Sequence, residues 1–148
     1  MGALRETTLV DAAVPRTAPF REAARVLAAN EISAIAVLDE QRRVVGLFTD
    51  DDLLRGIFPG YLGELRHTAF LELDTAALAA RLEEAGDNPV AAHMREPQVV
   101  EEGTSAAHVA EVFLHCPWGA LAVVDEDRRF VGMVGQVEFC RAIMRRLG

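Results

Sequence analysis

The sequence predicts an α/β (α+β) protein in which a small sheet with two helices is used twice and packed with pseudo-twofold symmetry. A shift of 86 positions lays Ala34-Ile35-Ala36-Val37-Leu38-Asp39-Glu40 over Ala120-Leu121-Ala122-Val123-Val124-Asp125-Glu126, with no gap from Val14 over Val100 to Ile57 over Ile143. Within each copy the apolar pattern passes from continuous runs bounded by polar turns to helical spacing, as strands followed by helices require. One such unit, with two or three strands, is too small to hold a core alone, whereas 148 residues, 51% of them apolar, suffice for two units packed sheet to sheet.

In the first copy a short strand is expected around Ala13-Val14, then Thr17 or Ala18 ahead of Pro19, a residue suited to a first helical turn. The helix carries Ala23, Ala24, Val26 and Leu27 and ends near Asn30. Ala34 to Leu38 and Val44 to Phe48 read as a hairpin joined by the polar turn Asp39 to Arg43, and a second helix runs from about Asp50 to Ile57. The second copy repeats the order: Val99-Val100, a cap at Thr104 or Ser105, a helix through His115, a hairpin from Ala120 to Val134, and a last helix from about Val137 to Arg146.

The boundaries that follow are 4–57 for the first repeat, 58–89 for an insertion and 90–148 for the second repeat. The insertion has no counterpart. Phe58-Pro59-Gly60 breaks the preceding helix, and Asp74-Thr75 opens a short one that stops at Gly86, ahead of Pro89. Leu78 and Leu82, one turn apart, would dock it as a tethered connector; the alternative is a lid or partner surface that includes Tyr61, Arg66, His67 and Phe70.

Gly46-Leu47-Phe48-Thr49-Asp50-Asp51-Asp52 reads as a buried strand running into a helix start. Backbone N–H groups, the Thr49 hydroxyl and the Asp52 carboxylate then face one small volume, where a ribose and a phosphate could be held. Thr49-x-x-Asp52 also has the spacing of a capping box, in which the two side chains satisfy helix-terminal donors and need no ligand.

Composition narrows the function classes. A net charge of -8 disfavours nucleic acid, whose phosphates need a concentrated positive patch; the cluster Arg141, Arg145 and Arg146 suits the end of a helix. All fifteen basic residues are Arg, which we read as compositional bias. No apolar run approaches a membrane span and no h-region of a signal peptide is present, so an intracellular, cytoplasmic protein is expected. Cys116 and Cys140 read as free thiols. His108 and His115 lie two turns apart, a spacing unlike that of a helical metal pair, so no metal site is expected. No Ser/His/Asp, Cys/His or paired-carboxylate constellation supports catalysis.

The duplicated unit, with Val37-Leu38-Asp39-Glu40 followed by Gly46-Leu47-Phe48-Thr49-Asp50-Asp51-Asp52 and with His93-Met94 before the second copy, resembles the CBS domain pair, also called a Bateman module. The resemblance covers the chain apart from 58–89. It implies a regulatory module, not an enzyme, that binds an adenosine-containing ligand such as AMP, ADP, ATP or S-adenosylmethionine between the repeats and needs no cofactor. Carried over, Asp52 would accept hydrogen bonds from the ribose hydroxyls and Thr49 would meet the phosphate. Val14, Arg16, Thr17, Ala34, Ile35 and Ala36 would line the base and phosphate pocket. In the second copy Gly135 replaces the Thr and Glu138 the Asp, which marks that site as degenerate and favours one competent site, at Thr49 and Asp52. The three consecutive aspartates favour AMP or ADP over ATP on charge. The resemblance further implies a homodimer and an unknown protein partner in trans. The alternative is a CBS-pair scaffold for dimerisation or assembly whose sites have lapsed, favoured by Gly135, Glu138 and Ala36.

Overall fold

A computed structural model of the chain describes residues 4, 7–58 and 75–148. The first repeat comprises β1 (Ala13–Pro15), α1 (Phe20–Ala29), β2 (Ala34–Leu38), β3 (Val44–Thr49) and α2 (Asp50–Ile57). After α3 (Thr75–Gly86) and a 3-10 turn (Val90–Ala92), the second comprises β4 (Val99–Glu101), α4 (Ala106–Leu114), β5 (Ala120–Val124), β6 (Phe130–Gly135) and α5 (Gln136–Leu147). Each repeat forms a three-stranded sheet, β1-β2-β3 or β4-β5-β6, whose first pair is parallel and second antiparallel.

The two hairpin turns are built identically. Asp39 Oδ1 accepts from the N–H groups of Gln41 and Arg43, and Asp125 Oδ1 from those of Asp127 and Arg129, all at 2.9 Å. Side-chain acceptance of this kind makes Asp a turn former. Both turns also place an arginine in the left-handed region, Arg42 at φ 64° and Arg128 at φ 65°.

β2 and β5 are buried along their whole length and lie against each other's sheets. Ala34, Ala36, Ala120 and Ala122 are fully buried, and their small side chains let the sheets approach closely. The first hydrophobic cluster therefore includes Ala120, Ala122, Phe130 and Met133 of the second repeat. Each burial of this sort contributes roughly 25 cal/mol per Å² of apolar surface, available only when both copies fold together.

Sequence periodicity gave no sign that the segment entering each repeat crosses to the other repeat's sheet. Val10 exchanges backbone hydrogen bonds with Met133 of β6 at 2.8 and 2.7 Å, and Arg95 exchanges them with Leu47 of β3 at 3.0 and 2.9 Å. Gly46 and Gly132 make this possible. A Cβ on Gly46 would lie 3.1 Å from the Arg95 carbonyl oxygen, and one on Gly132 would lie 2.8 Å from Leu9 Cβ.

Differences from the expected elements are local. Pro19 itself caps α1, with extended backbone and no side-chain cap, so neither Thr17 nor Ala18 fills that position. Ser105 caps α4 through the His108 N–H, and His115 follows the helix as its C-cap. α3 packs on α1 and α2, with Leu82 against the first cluster and an ion pair from Arg21 to Asp87 at 3.1 Å just beyond it. The candidate lid residues Tyr61, Arg66, His67 and Phe70 lie outside the described residues, as do Asp74 and the side chain of Leu78. No helix of the described residues is long and apolar enough to cross a membrane.

Candidate functional site

At the first junction β3 ends on Thr49, which is fully buried, and α2 begins at Asp50. Thr49 Oγ1 accepts from the Asp52 N–H at 3.2 Å, while Asp52 Oδ2 accepts from the Thr49 N–H and hydroxyl, both at 2.9 Å. This is a closed capping box. Arg95 completes it, donating from Nε to Asp52 Oδ2 at 3.0 Å and from Nη2 to Oδ1 at 2.6 Å. The guanidinium carbon also lies 4.7 Å from the centroid of the Trp118 ring, within cation–π range. Burial alone would push the Asp52 carboxyl up, but hydrogen bonds from Arg95 and Thr49 outweigh it and hold the group below its usual value.

At the second junction β6 ends on Gly135, which caps α5 with extended backbone and offers no side chain. Glu138 turns to Arg141, one turn along α5, at 2.6 Å. The space that remains is a cavity of about 860 Å³, bordered by Thr8 and Val10 before β1, Ile32 and Ser33 before β2, Gly119 before β5, and the first turns of α5. That volume lies within the range of small-molecule sites. Apolar walls at Val10, Ile32 and Val137 face polar groups at Ser33, Gln136, Glu138 and Arg141. A Cβ on Gly135 would meet nothing within 4 Å, and one on Gly119 (φ +66°) would lie 3.9 Å from Gln136 Oε1 and from Ser33 Oγ.

A family model for the CBS domain matches residues 7–58 and 90–145. The chain belongs to the CBS domain family. It is 30% identical over 138 residues to the chloroplastic CBS domain-containing protein CBSX1 of Arabidopsis thaliana; the match takes in 89% of this chain and 58% of that protein, so the chain spans little more than half the relative's length. Among solved structures, the CBS-pair protein CBSX2 of Arabidopsis thaliana has a TM-score of 0.76 at 20% identity, with 99% of this chain and 98% of that one covered. The CBS domain protein PAE2072 of Pyrobaculum aerophilum, complexed with AMP, has a TM-score of 0.71 at 20% identity, with 99% and 98% covered. At such identities the likeness is one of fold, and it matches the two small mixed sheets with their helices described above.

Within this CBS pair the structure brings together Thr49 and Asp52, with Ala34 opposite Thr49 in the β2–β3 register. Ala34, Ile35, Ala36 and Val14 are buried core residues. Arg16 and Thr17 are carried away from the junction. Because β1 runs parallel to β2 with Pro15 opposite Leu38, the chain leaves β1 at the far end of the sheet, where Arg16 pairs with Glu40 at 2.9 Å. Gly135 and Glu138 border the open cavity.

Sequence reading did not single out Arg95, Trp118, Ile32 or Ser33. Trp118 lies over Ile32 in the repeat, so an aromatic in place of an aliphatic was a visible signal. Arg95 lay beyond it: the structural counterpart of Arg95 is Val10, and reaching that match needs a one-residue gap before β1. Among the described residues no group of three His, Cys, Asp or Glu side chains is placed to hold a metal ion.

Proposed function

We propose that the chain is a regulatory ligand-sensing module that binds an adenosine-containing ligand between its two repeats and passes the change to a protein partner in trans, without an enzymatic step. The observation that carries this reading is the open cavity at the second strand-to-helix junction, with apolar walls for a base and Glu138, Ser33, Gln136 and Arg141 for a ribose and phosphate. The AMP complex of the Pyrobaculum aerophilum protein supports the ligand class. Charge favours AMP or ADP over ATP: one arginine borders the cavity beside the carboxylates of Glu31 and Glu138. The resemblance favours Thr49 and Asp52 as the competent site and marks Gly135 and Glu138 as degenerate; this reading reverses that order, because Arg95 already engages the Asp52 carboxylate. Exposed Leu54, Met144 and Leu147 on α2 and α5 support assembly as a homodimer, which is also part of it.

The test is the melting temperature with and without millimolar AMP, ADP, ATP and S-adenosylmethionine, repeated with Glu138→Ala. A ligand at a hundred times its Kd adds about 2.7 kcal/mol, a rise of roughly 2–4 °C or more for a domain of this size. A rise that Glu138→Ala removes supports the cavity as the site. No rise with any of the four, in protein free of carried-over nucleotide, leaves the assembly scaffold as the function.

A further inference from the structure

The two junctions are built on the same backbone and differ in what stands in front of them. Val10 pairs with Met133 on β6 as Arg95 pairs with Leu47 on β3, and Met133 and Leu47 occupy matching repeat positions. Ile32 and Trp118 likewise match, each two residues ahead of the second strand of its sheet. At the second junction Val10 and Ile32 form walls of the open cavity. At the first, the matching places hold a guanidinium and an indole in contact with each other, and the guanidinium is on the carboxylate.

We propose that Arg95 and Trp118 are built-in occupants of the Thr49–Asp52 junction and thereby decide which of the two junctions accepts ligand. The identity of the ligand rests on the reading above; the occupancy rests on the geometry. A ribose presents two hydroxyl donors to a carboxylate, and Arg95 already presents two N–H donors to the two oxygens of Asp52. A base needs apolar surface to lie against, and the Trp118 ring packs against both hydrophobic clusters. The backbone that carries the ring is held, because the Ser33 hydroxyl donates to the Trp118 carbonyl oxygen and the left-handed Gly119 turns the chain immediately after it. Charge acts in the same direction. The first turn of α2 carries Asp50, Asp51 and Asp52, which favour a cation such as the Arg95 guanidinium at that junction, whereas that of α5 carries Gln136, Val137 and Glu138.

The deciding experiment gives each junction the other's residues. The double variant R95V/W118I, checked for folding by circular dichroism, is titrated calorimetrically with AMP beside the wild type. The variant is expected to bind one equivalent more than the wild type. No added equivalent overturns the proposal whatever the wild-type count. That count tests the ligand reading separately: one equivalent in both proteins removes the proposal and leaves the reading, while none in the wild type and one in the variant does the reverse. Should R95V/W118I fail to fold, the reciprocal variant V10R/I32W decides the matter by its crystal structure. The cavity is expected to be filled, with the new guanidinium on Glu138; an open cavity in that structure overturns the proposal.

Discussion

The Arg95 guanidinium spans both carboxylate oxygens of Asp52, at 3.0 and 2.6 Å, and so ties the first helix turn of one repeat to the strand segment that enters the other. Removing one member of a buried pair strands its partner's charge at a cost of about 3–5 kcal/mol. The Arg95 side chain retains a quarter of its exposure, which admits solvent screening and places the expected loss nearer about 2–3 kcal/mol. Arg95→Ala and Asp52→Ala should each show a loss of that size in urea unfolding. The double variant should lose clearly less than the sum, because each single change already breaks the pair. Additive losses would mean that the contact contributes nothing.

The same pair makes stability depend on acid. Asp52 is held below its ordinary value of 3.8 in the folded chain, so over the intervening pH range the unfolded chain binds the proton more readily. Its contribution is therefore complete above the unfolded value and is lost as the pH falls through the lower, folded one. Melting temperatures of the wild type and of Asp52→Asn should differ most near neutrality and converge as the pH falls below 3.8. A gap that stays constant through that window would show that the carboxylate is not the group being titrated.

Much of this architecture was legible in the chain because repetition and polar punctuation are local signals. The hairpin of β2 and β3 could be placed to within a residue because Asp39 and Arg43 bound a turn that Asp125 and Arg129 repeat. The junction at Thr49 and Asp52 was legible as a place, and so was its spacing as a capping box. Its occupant was not, since Arg95 lies 43 residues from Asp52 and reaches it only through a strand crossing that leaves no periodicity. The open cavity was hidden for a related reason: Ile32 and Ser33 come from one repeat and Gly135 to Arg141 from the other, and only the packed pair puts them around one space. Arg16 and Thr17 follow β1 directly in sequence, yet the parallel register carries them to the far end of the sheet.

Two glycines, Gly46 on β3 and Gly135 at the end of β6, should behave oppositely. A methyl on Gly46 would stand 2.9 Å from Met94 Cγ and 3.1 Å from the Arg95 carbonyl oxygen, backbone that cannot retreat without breaking its pairing with Leu47. Gly46→Ala should cost about 1–3 kcal/mol as an overpacking change and loosen Arg95 from Asp52. At Gly135 the added group meets nothing within 4 Å, and the residue is a helix N-cap with no side chain to offer. Gly135→Ser should hold stability or raise it by a few tenths of a kcal/mol. Chemical denaturation of the two variants checks both signs at once.

Trp118 is the single tryptophan of the chain, which makes its emission a reporter on the first junction. Its neighbour Gly119 borders the open cavity at the second, and the Ser33 hydroxyl, on the same cavity, holds the Trp118 carbonyl. A ligand that enters the cavity and contacts Ser33 or Gly119 therefore acts on the residue that packs Arg95 against Asp52. Coupling of this kind is a shared free energy and must run in both directions. Titration with AMP should change the Trp118 emission along the same isotherm as calorimetry, and Arg95→Ala, which frees the ring from its cation, should shift the AMP affinity although Arg95 lies outside the cavity. Binding seen by calorimetry with an unchanged emission and an unchanged affinity in Arg95→Ala would show that the two junctions act independently, and that a partner must read the ligand at the cavity itself.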